Sequence, residues 1–394
     1  MDKLKIIVTG LIGQYPLGGV SWDYIQYAAG LMLLGHDVYY IEDTGQHPFN
    51  PQEGGISREC DFNIRYLSEV MSRFGMEDRW AYHFPWKSQW FGLADNKREA
   101  VIQSADMLIN VSGVLAYPER YRHIPCLVYI DSDPVFTQVK LARGQVDFQH
   151  MLETHDVHFS FGERLTDAVP ETAFDWLPTR QPVLLDEWRH GGPVRNVYTT
   201  VMNWTSYKPV EYAGINYAQK DVEFERFIEM PGRVPDVSLE IAVNTGKTRR
   251  TPRELLARKG WHVVHPDEVC PDMDGYRSYI TGSRAEWSIA KNGYIVGQPG
   301  WFSCRSACYL AAGRPVVVQD TGFSKVLPVG TGIVPFSTLQ EAIDGILDVE
   351  SRYEIHCKAA MEIAEQYFDA SLVLTRLLDE STGSADGMNA GKTA

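Results

Sequence analysis

The stretch NGYIVGQPGWFSCRSACYLAAGRPVVVQDTGFSKVLPVGTGIVPF, running from Asn292 to Phe336, decides the fold of this chain. Tyr294 to Val296 is a short apolar run that reads as a strand, broken by Gln298-Pro299-Gly300. A helical stretch follows from about Phe302 to Ala312, and Gly313 stops it as a C-cap. Pro315 to Gln319 is a second buried strand, and a third ends at Phe336. In a parallel sheet such a strand-turn-helix unit presents the free amides of the helix N-terminus at the carboxyl edge, where phosphate binds. Gln319, Asp320, Thr321 and Gly322 leave the following strand at that same edge. One edge therefore offers an anion cradle beside groups able to hydrogen-bond a polyhydroxylated ligand.

The run YLAAGRPVVVQDTGFSKVLPVGTGIVPF, with the small-residue helix start WFSCRS before it, resembles the donor-binding half of GT-B glycosyltransferases. The resemblance is strongest over Ser283 to Phe336 and architectural elsewhere. It implies an α/β fold of two Rossmann-like domains facing a central cleft. It also implies that the diphosphate of a nucleotide sugar lies at Gly300, Ser303 and Arg305, with the sugar on Asp320, Thr321 and Gly322. Retaining members often carry paired glutamates in this unit. Here those places hold Gly300 and Cys308, so the stereochemistry stays open.

Composition bounds the rest. A chain of 394 residues exceeds one ordinary core and implies two domains, which a hydrophobic content of 44% can fill. The net charge of −14, with Lys and Arg scattered, argues against a nucleic-acid surface, which needs a basic face to neutralise phosphates. Aromatic residues make up 12%, a composition suited to stacking on sugars as well as to filling cores. No apolar run approaches the roughly 20 residues of a membrane span. The start MDKLKIIVTG enters a strand without the long apolar region of a secretion signal, so a cytoplasmic protein is expected. The six cysteines lack the CxxC spacing of zinc or redox sites, and Cys304 and Cys308 would share a packed helix face.

Toward the N-terminus, a strand over Leu4 to Thr9, the Gly-rich loop GLIGQYPLGG, a helix from Ser21 to Leu34 and a strand over Val38 to Ile41 make a βαβ unit. The loop lacks the GxGxxG spacing of a dinucleotide site. The GT-B resemblance implies that it faces the cleft, so that Gly18 and Gly19 let backbone approach the donor. The aromatic run WAYHFPWKSQWFG is irregular and reads as a covering of the acceptor pocket. Strands over Met107 to Val111, Cys126 to Ile130 and His155 to Phe161 follow, and they deliver Asp131, Asp133, His158 and Glu163 as candidates for acid/base work. Asp133 is favoured as general base, because the like charge of Asp131 would raise its pKa. His158 and Glu163 are the reserves. The same residue types also serve caps, turns and cores. Asp131-Ser132-Asp133 has metal-like spacing but lies in the half opposite the donor, and no metal is expected.

The second half restarts the alternation with a strand over Val197 to Met202. In the loop after it, the resemblance implies that Lys208 neutralises the diphosphate. NTGKT, after a strand over Ser238 to Val243, lacks the first Gly of a P-loop, Ile241 standing in its place. The stretch DEWRHGGPVRN reads as a linker. The expected division is a 1–190 acceptor-side domain, a 191–365 donor domain, a 366–380 helix that crosses back to the first domain, and a disordered tail over 381–394.

The GT-B resemblance implies transfer of a hexosyl or related sugar from a nucleotide-diphosphate donor to a small-molecule or glycan acceptor, without metal or other cofactor. Two other readings share the fold: a nucleotide-sugar 2-epimerase, which needs no acceptor pocket, and a sugar-nucleotide sensor that turns nothing over. No motif encodes the donor's sugar and base, the acceptor or the oligomeric state. The two domains, joined near Gly191, are expected to close over the donor and exclude water.

Overall fold

The computed structural model describes residues 3–189 and 192–391, with side chains as far as residue 383. Two sheets organise it, built of buried apolar strands because helices cover both faces. The N-terminal half forms β1 (Lys5–Thr9), β2 (Asp37–Glu42), the short pair β3 (Phe49–Asn50) and β4 (Gly55–Ile56), β5 (Trp80–Phe84), β6 (Gln89–Gly92), β7 (Met107–Val111), β8 (Cys126–Asp131), β9 (Val157–Ser160) and β10 (Trp176–Pro178). Its main sheet has the order β10-β9-β8-β7-β1-β2-β5-β6 and is parallel except for the β5–β6 hairpin. The C-terminal half forms β11 (Val197–Met202), a hairpin of β12 (Val210–Tyr212) and β13 (Ile215–Tyr217), then β14 (Ser238–Val243), β15 (His262–Val264), β16 (Ala285–Ser288), β17 (Val316–Gln319) and β18 (Ile333–Phe336). Its main sheet is parallel, in the order β15-β14-β11-β16-β17-β18. These are two Rossmann-like domains. In each, the first strand sits at a switch point, β1 between β2 and β7 and β11 between β14 and β16, and a crevice opens there at the carboxyl ends of the strands.

Three local expectations are corrected. Residues 294–296 are not a strand but part of a helix, Asn292–Gly297, ended by Gln298 in the left-handed region at φ 46°. The aromatic run WAYHFPWKSQWFG is not irregular, because it folds as the β5–β6 hairpin around a turn at Pro85–Lys87. Gly18 and Gly19 open a helix, Gly18–Leu33, rather than ending a loop. The linker at Gly191 lies outside the described residues. The expected tail falls partly in the last turns of the final helix, Ala370–Gly391, and partly beyond the described residues.

The halves meet along the Gly18–Leu33 helix. A Cβ on Gly18 would come 2.1 Å from the Asp272 carbonyl oxygen, and one on Gly19 3.0 Å from the Tyr276 ring. Glycine is needed there so that this helix can approach Met273–Thr281 of the other half, and the two positions are covered by protein rather than open to a donor. Fully buried Trp22 packs on Trp188 at 4.9 Å and donates its Nε1–H to the Met273 carbonyl at 3.0 Å. Arg73 adds ion pairs to Glu187 at 2.9 Å and to Asp274 at 2.8 Å. One buried apolar cluster runs from Ile6 and Val8 through Trp22 to Tyr276 and Leu310. The final helix returns to the first half, where Ala370 and Leu374 pack on Gly30. Among the described residues no helix is long and apolar enough to cross a membrane.

Candidate active site

The Cys304–Ala311 helix begins beside the carboxyl ends of β16 and β17. Ser303 is its N-cap in extended backbone (φ −71°, ψ 133°), yet its side chain makes no capping bond. The amides of the first turn have no intrahelical partner and leave partial positive charge at the helix end. A cavity at this point is lined by Ser288, Ala290, Trp301, Ser303, Ser306 and Thr321, among others. Trp301 Nε1 and Ser306 Oγ are buried there without a hydrogen-bond partner among the described residues. Arg305 stands in the same wall, its Nε bonded to Glu286 Oε1 at 2.7 Å and its Nη1 to the Val201 carbonyl at 2.6 Å. Glu286 is fully buried and its second oxygen has no partner among the described residues.

Lys220 completes the positive field, and nothing in the sequence reading pointed to it. Burial, reinforced by the charges of Arg305 and Lys291, pushes its pKa well below that of an ordinary lysine, and Glu286 opposes this only in part. Its ammonium has no hydrogen bond or ion pair among the described residues. Lys208, which was expected in this role, is exposed and faces no acidic partner among them. The physical reason is the β12–β13 hairpin, which separates the loop of Lys208 from the helix start at Lys220.

The turns that close the pocket use most of the remaining expected donor residues for themselves. Gly300 (φ +77°) and Gly322 (φ +93°) occupy backbone conformations that favour glycine. The Gly300 amide donates to the Thr321 carbonyl at 2.9 Å, and a Cβ on Gly322 would come 2.8 Å from the Gln298 carbonyl oxygen. Asp320 accepts from the Gly322 amide at 2.9 Å and from the Ser324 hydroxyl at 2.6 Å, while Thr321 donates to the Trp301 carbonyl. Asp320 and Thr321 therefore fix the turn that closes the pocket.

The facing carboxylates are occupied as well. Asp131 is buried and accepts from Thr137 Oγ1 at 2.6 Å, Ser160 Oγ at 2.9 Å and Gln138 Nε2 at 3.1 Å. Burial raises Asp131, these bonds lower it, and the charge of Asp133 adds a smaller upward push. The expected rise at Asp133 does not occur. Burial pushes its pKa up, but the Lys291 ammonium and the hydroxyls of Tyr294 and Tyr207 hold it below the ordinary aspartate value. His158 bonds the Leu152 carbonyl at 2.9 Å within an aromatic cluster, and burial lowers its pKa. Glu163 is paired with Arg180; burial raises its pKa against that pairing.

One acid on the cleft side is unpaired. Asp23, on the Gly18–Leu33 helix, has no hydrogen bond or ion pair from its carboxylate among the described residues. Burial pushes its pKa up to about 7, against the pull of Arg305. Its electrostatic neighbours include Cys304 and Arg305 at the start of the pocket helix, so it looks across at the anion site.

No protein-family model matches the chain, and no curated protein matches it. Solved structures do. An alpha-glucosyltransferase in complex with UDP and a 13-mer DNA containing an HMU base shares 12% identity, with a TM-score of 0.59 over 97% of this chain and 100% of that one. The fold is GT-B. Anabaena Alr3699/HepE in complex with UDP is similar at 11% identity and a TM-score of 0.56, over 97% of this chain and 100% of that chain. AviGT4, a glycosyltransferase involved in avilamycin A biosynthesis, matches at 12% identity and a TM-score of 0.51, with 98% of each chain covered. In this GT-B chain the unpartnered polar groups Trp301 Nε1 and Ser306 Oγ lie in the C-terminal half.

Proposed function

We propose that this protein transfers a sugar from a nucleotide-diphosphate donor to a small-molecule or glycan acceptor. The observation that carries the reading is the convergence of free helix amides, Arg305 and the buried orphans Ser306 Oγ and Trp301 Nε1 on one cavity, with unpartnered Lys220 near enough to Arg305 to feel its charge. A diphosphate satisfies all of them at once, and the charge that grows on it as the glycosidic bond breaks falls where positive groups are already fixed. Because the helix end and the two cations can carry that charge, the transfer proceeds without a metal. The Asp131-Ser132-Asp133 carboxylates support this reading, since both are bound by side chains of the fold.

The acid/base role passes to Asp23. An aspartate with a pKa of about 7 is half ionised near neutrality and accepts a proton from an acceptor hydroxyl far better than an ordinary one. UDP-sugars are the first donors to test, because the alpha-glucosyltransferase and HepE were solved with UDP. Incubation with labelled UDP-sugars, with and without chelator, should give transfer or slow hydrolysis in both. Inversion at C2 would indicate an epimerase, and binding without turnover a sensor. Activity lost to chelator and restored by magnesium or manganese would overturn the metal-free step.

A further inference from the structure

Asp133 follows β8 and Lys291 follows β16, so their contact joins the two halves across 158 residues of sequence. Lys291 Nζ donates to Asp133 Oδ1 at 2.7 Å and to Tyr207 Oη at 3.1 Å. Tyr207 in turn donates to Asp133 Oδ2 at 2.7 Å, and the Tyr294 hydroxyl donates to Oδ1. The ammonium lies 4.9 Å from the Tyr207 ring centroid, 5.1 Å from that of Phe136 and 5.3 Å from that of Tyr294, an aromatic enclosure that favours a cation. The backbone is built for this closeness. Val135 holds φ +71°, which a β-branched residue adopts only when its surroundings force it. Gly293 and Gly297, on one face of the Asn292–Gly297 helix, would each clash if given a Cβ, at 2.5 Å with Phe136 and at 2.6 Å with Val135.

The segment that carries Lys291 also walls the anion cavity, because Ser288, Ile289 and Ala290 line it. We propose that Asp133 and Lys291 are positioning residues that clamp the N-terminal half onto this wall, so that donor affinity depends on a carboxylate in the opposite half. The proposal rests on the donor reading of the cavity and deepens it. Without the bonds among Asp133, Lys291, Tyr207 and Tyr294, the halves lose the charge-assisted hydrogen bonds that join them on this side. The closed arrangement is then less favoured, and the halves separate on that side. The donor then has to restore the closed arrangement out of its own binding energy, and its apparent affinity falls by the fraction of molecules still closed.

The test is the charge-neutral double variant Asp133→Asn with Lys291→Met, which leaves the net charge near the pocket unchanged and so isolates positioning from field. Calorimetry with UDP should show affinity weakened about tenfold, the scale of losing one charged hydrogen-bonded pair. Small-angle scattering should show a larger radius of gyration without ligand that returns to the wild-type value at saturating UDP. A purely structural role would lower the melting temperature and leave both readings as in the wild type, and that result overturns the proposal. Wild-type protein that binds no UDP would instead defeat the donor reading, while the unliganded dimensions of the double variant would still decide whether the bridge holds the halves. Should the double variant fail to fold, Tyr294→Phe removes a single hydroxyl and is expected to give about a fivefold loss of affinity with the same ligand-reversible expansion; unchanged affinity and dimensions there would equally overturn the clamp.

Discussion

The carboxyl edges of the two sheets present opposite kinds of polar chemistry. At the N-terminal edge Asp131, Asp133 and Glu163 are each bound by side chains of the fold. At the C-terminal edge Trp301 Nε1, Ser306 Oγ and the Lys220 ammonium have no partner among the described residues, and the helix start beside them is uncapped. Each polar group left buried and unpaired costs about 1–3 kcal/mol, so several together around one cavity are a concentrated cost that a polar ligand would relieve. The difference teaches that an acid at a strand end is weak evidence of catalysis until its partners are known, whereas an unsatisfied cluster marks where a ligand completes the bonds. Asp23 is the exception on the N-terminal side, and it is the acid that faces the unsatisfied cluster.

The comparison breaks most visibly at Asp131. Asp131→Ala leaves its donors without an acceptor and should lower stability by about 3 kcal/mol or more, read as a shift in the urea midpoint; an unshifted midpoint would mean that the N-terminal edge is not held this way. Next in size is Asp23→Asn, which should cut turnover about 10²-fold while UDP affinity is kept. A base must be ionised to act, so wild-type kcat/KM should fall as pH drops below about 7, and the variant should lose that limb. Persistence of the limb would move the titration to another group, such as Glu42, whose pKa burial also raises to about 7.

Lys220→Met sharpens the contrast, because function and stability should move in opposite directions. UDP affinity should fall about tenfold, while the melting temperature rises on removal of an unpaired, partly desolvated amine beside Arg305 and Lys291. The sign of the pH effect follows from the lowered pKa. Between the folded value and the ordinary lysine value the unfolded chain binds the extra proton, so wild-type stability rises as pH is raised through that window, and the variant should lack this slope. A melting temperature that falls in the variant would show that Lys220 has a partner in the fold after all. The smallest effect is expected at Ser306→Ala. Affinity should drop about fivefold, near 1 kcal/mol, with no loss of stability because the hydroxyl has no partner among the described residues; a stability loss equal to the affinity loss would contradict its assignment.

Much of the architecture was legible because it rests on local signals. The buried strand Val316–Gln319, the Gly313 stop and the small-residue helix start place the pocket helix from sequence alone. Tyr294–Val296 was misread because three apolar residues carry no period. The signal that would have corrected it is Gly293 and Gly297, four apart, a spacing that means a helix face pressed on a neighbour. The N-terminal half was read correctly as strands ending in acids, but what those acids do depends on residues far away in sequence, such as Lys291 for Asp133 and Arg180 for Glu163. Asp23 and Lys220 were missed for the same reason. Neither belongs to a spacing pattern, and each is set apart only by what surrounds it after folding.

The most direct measurement is a crystal structure with UDP bound. The β-phosphate is expected on the amides of the Cys304–Ala311 helix start, within hydrogen-bond reach of Ser306 Oγ and of the Lys220 and Arg305 side chains. UDP seated elsewhere, with this helix start left to solvent, would contradict it.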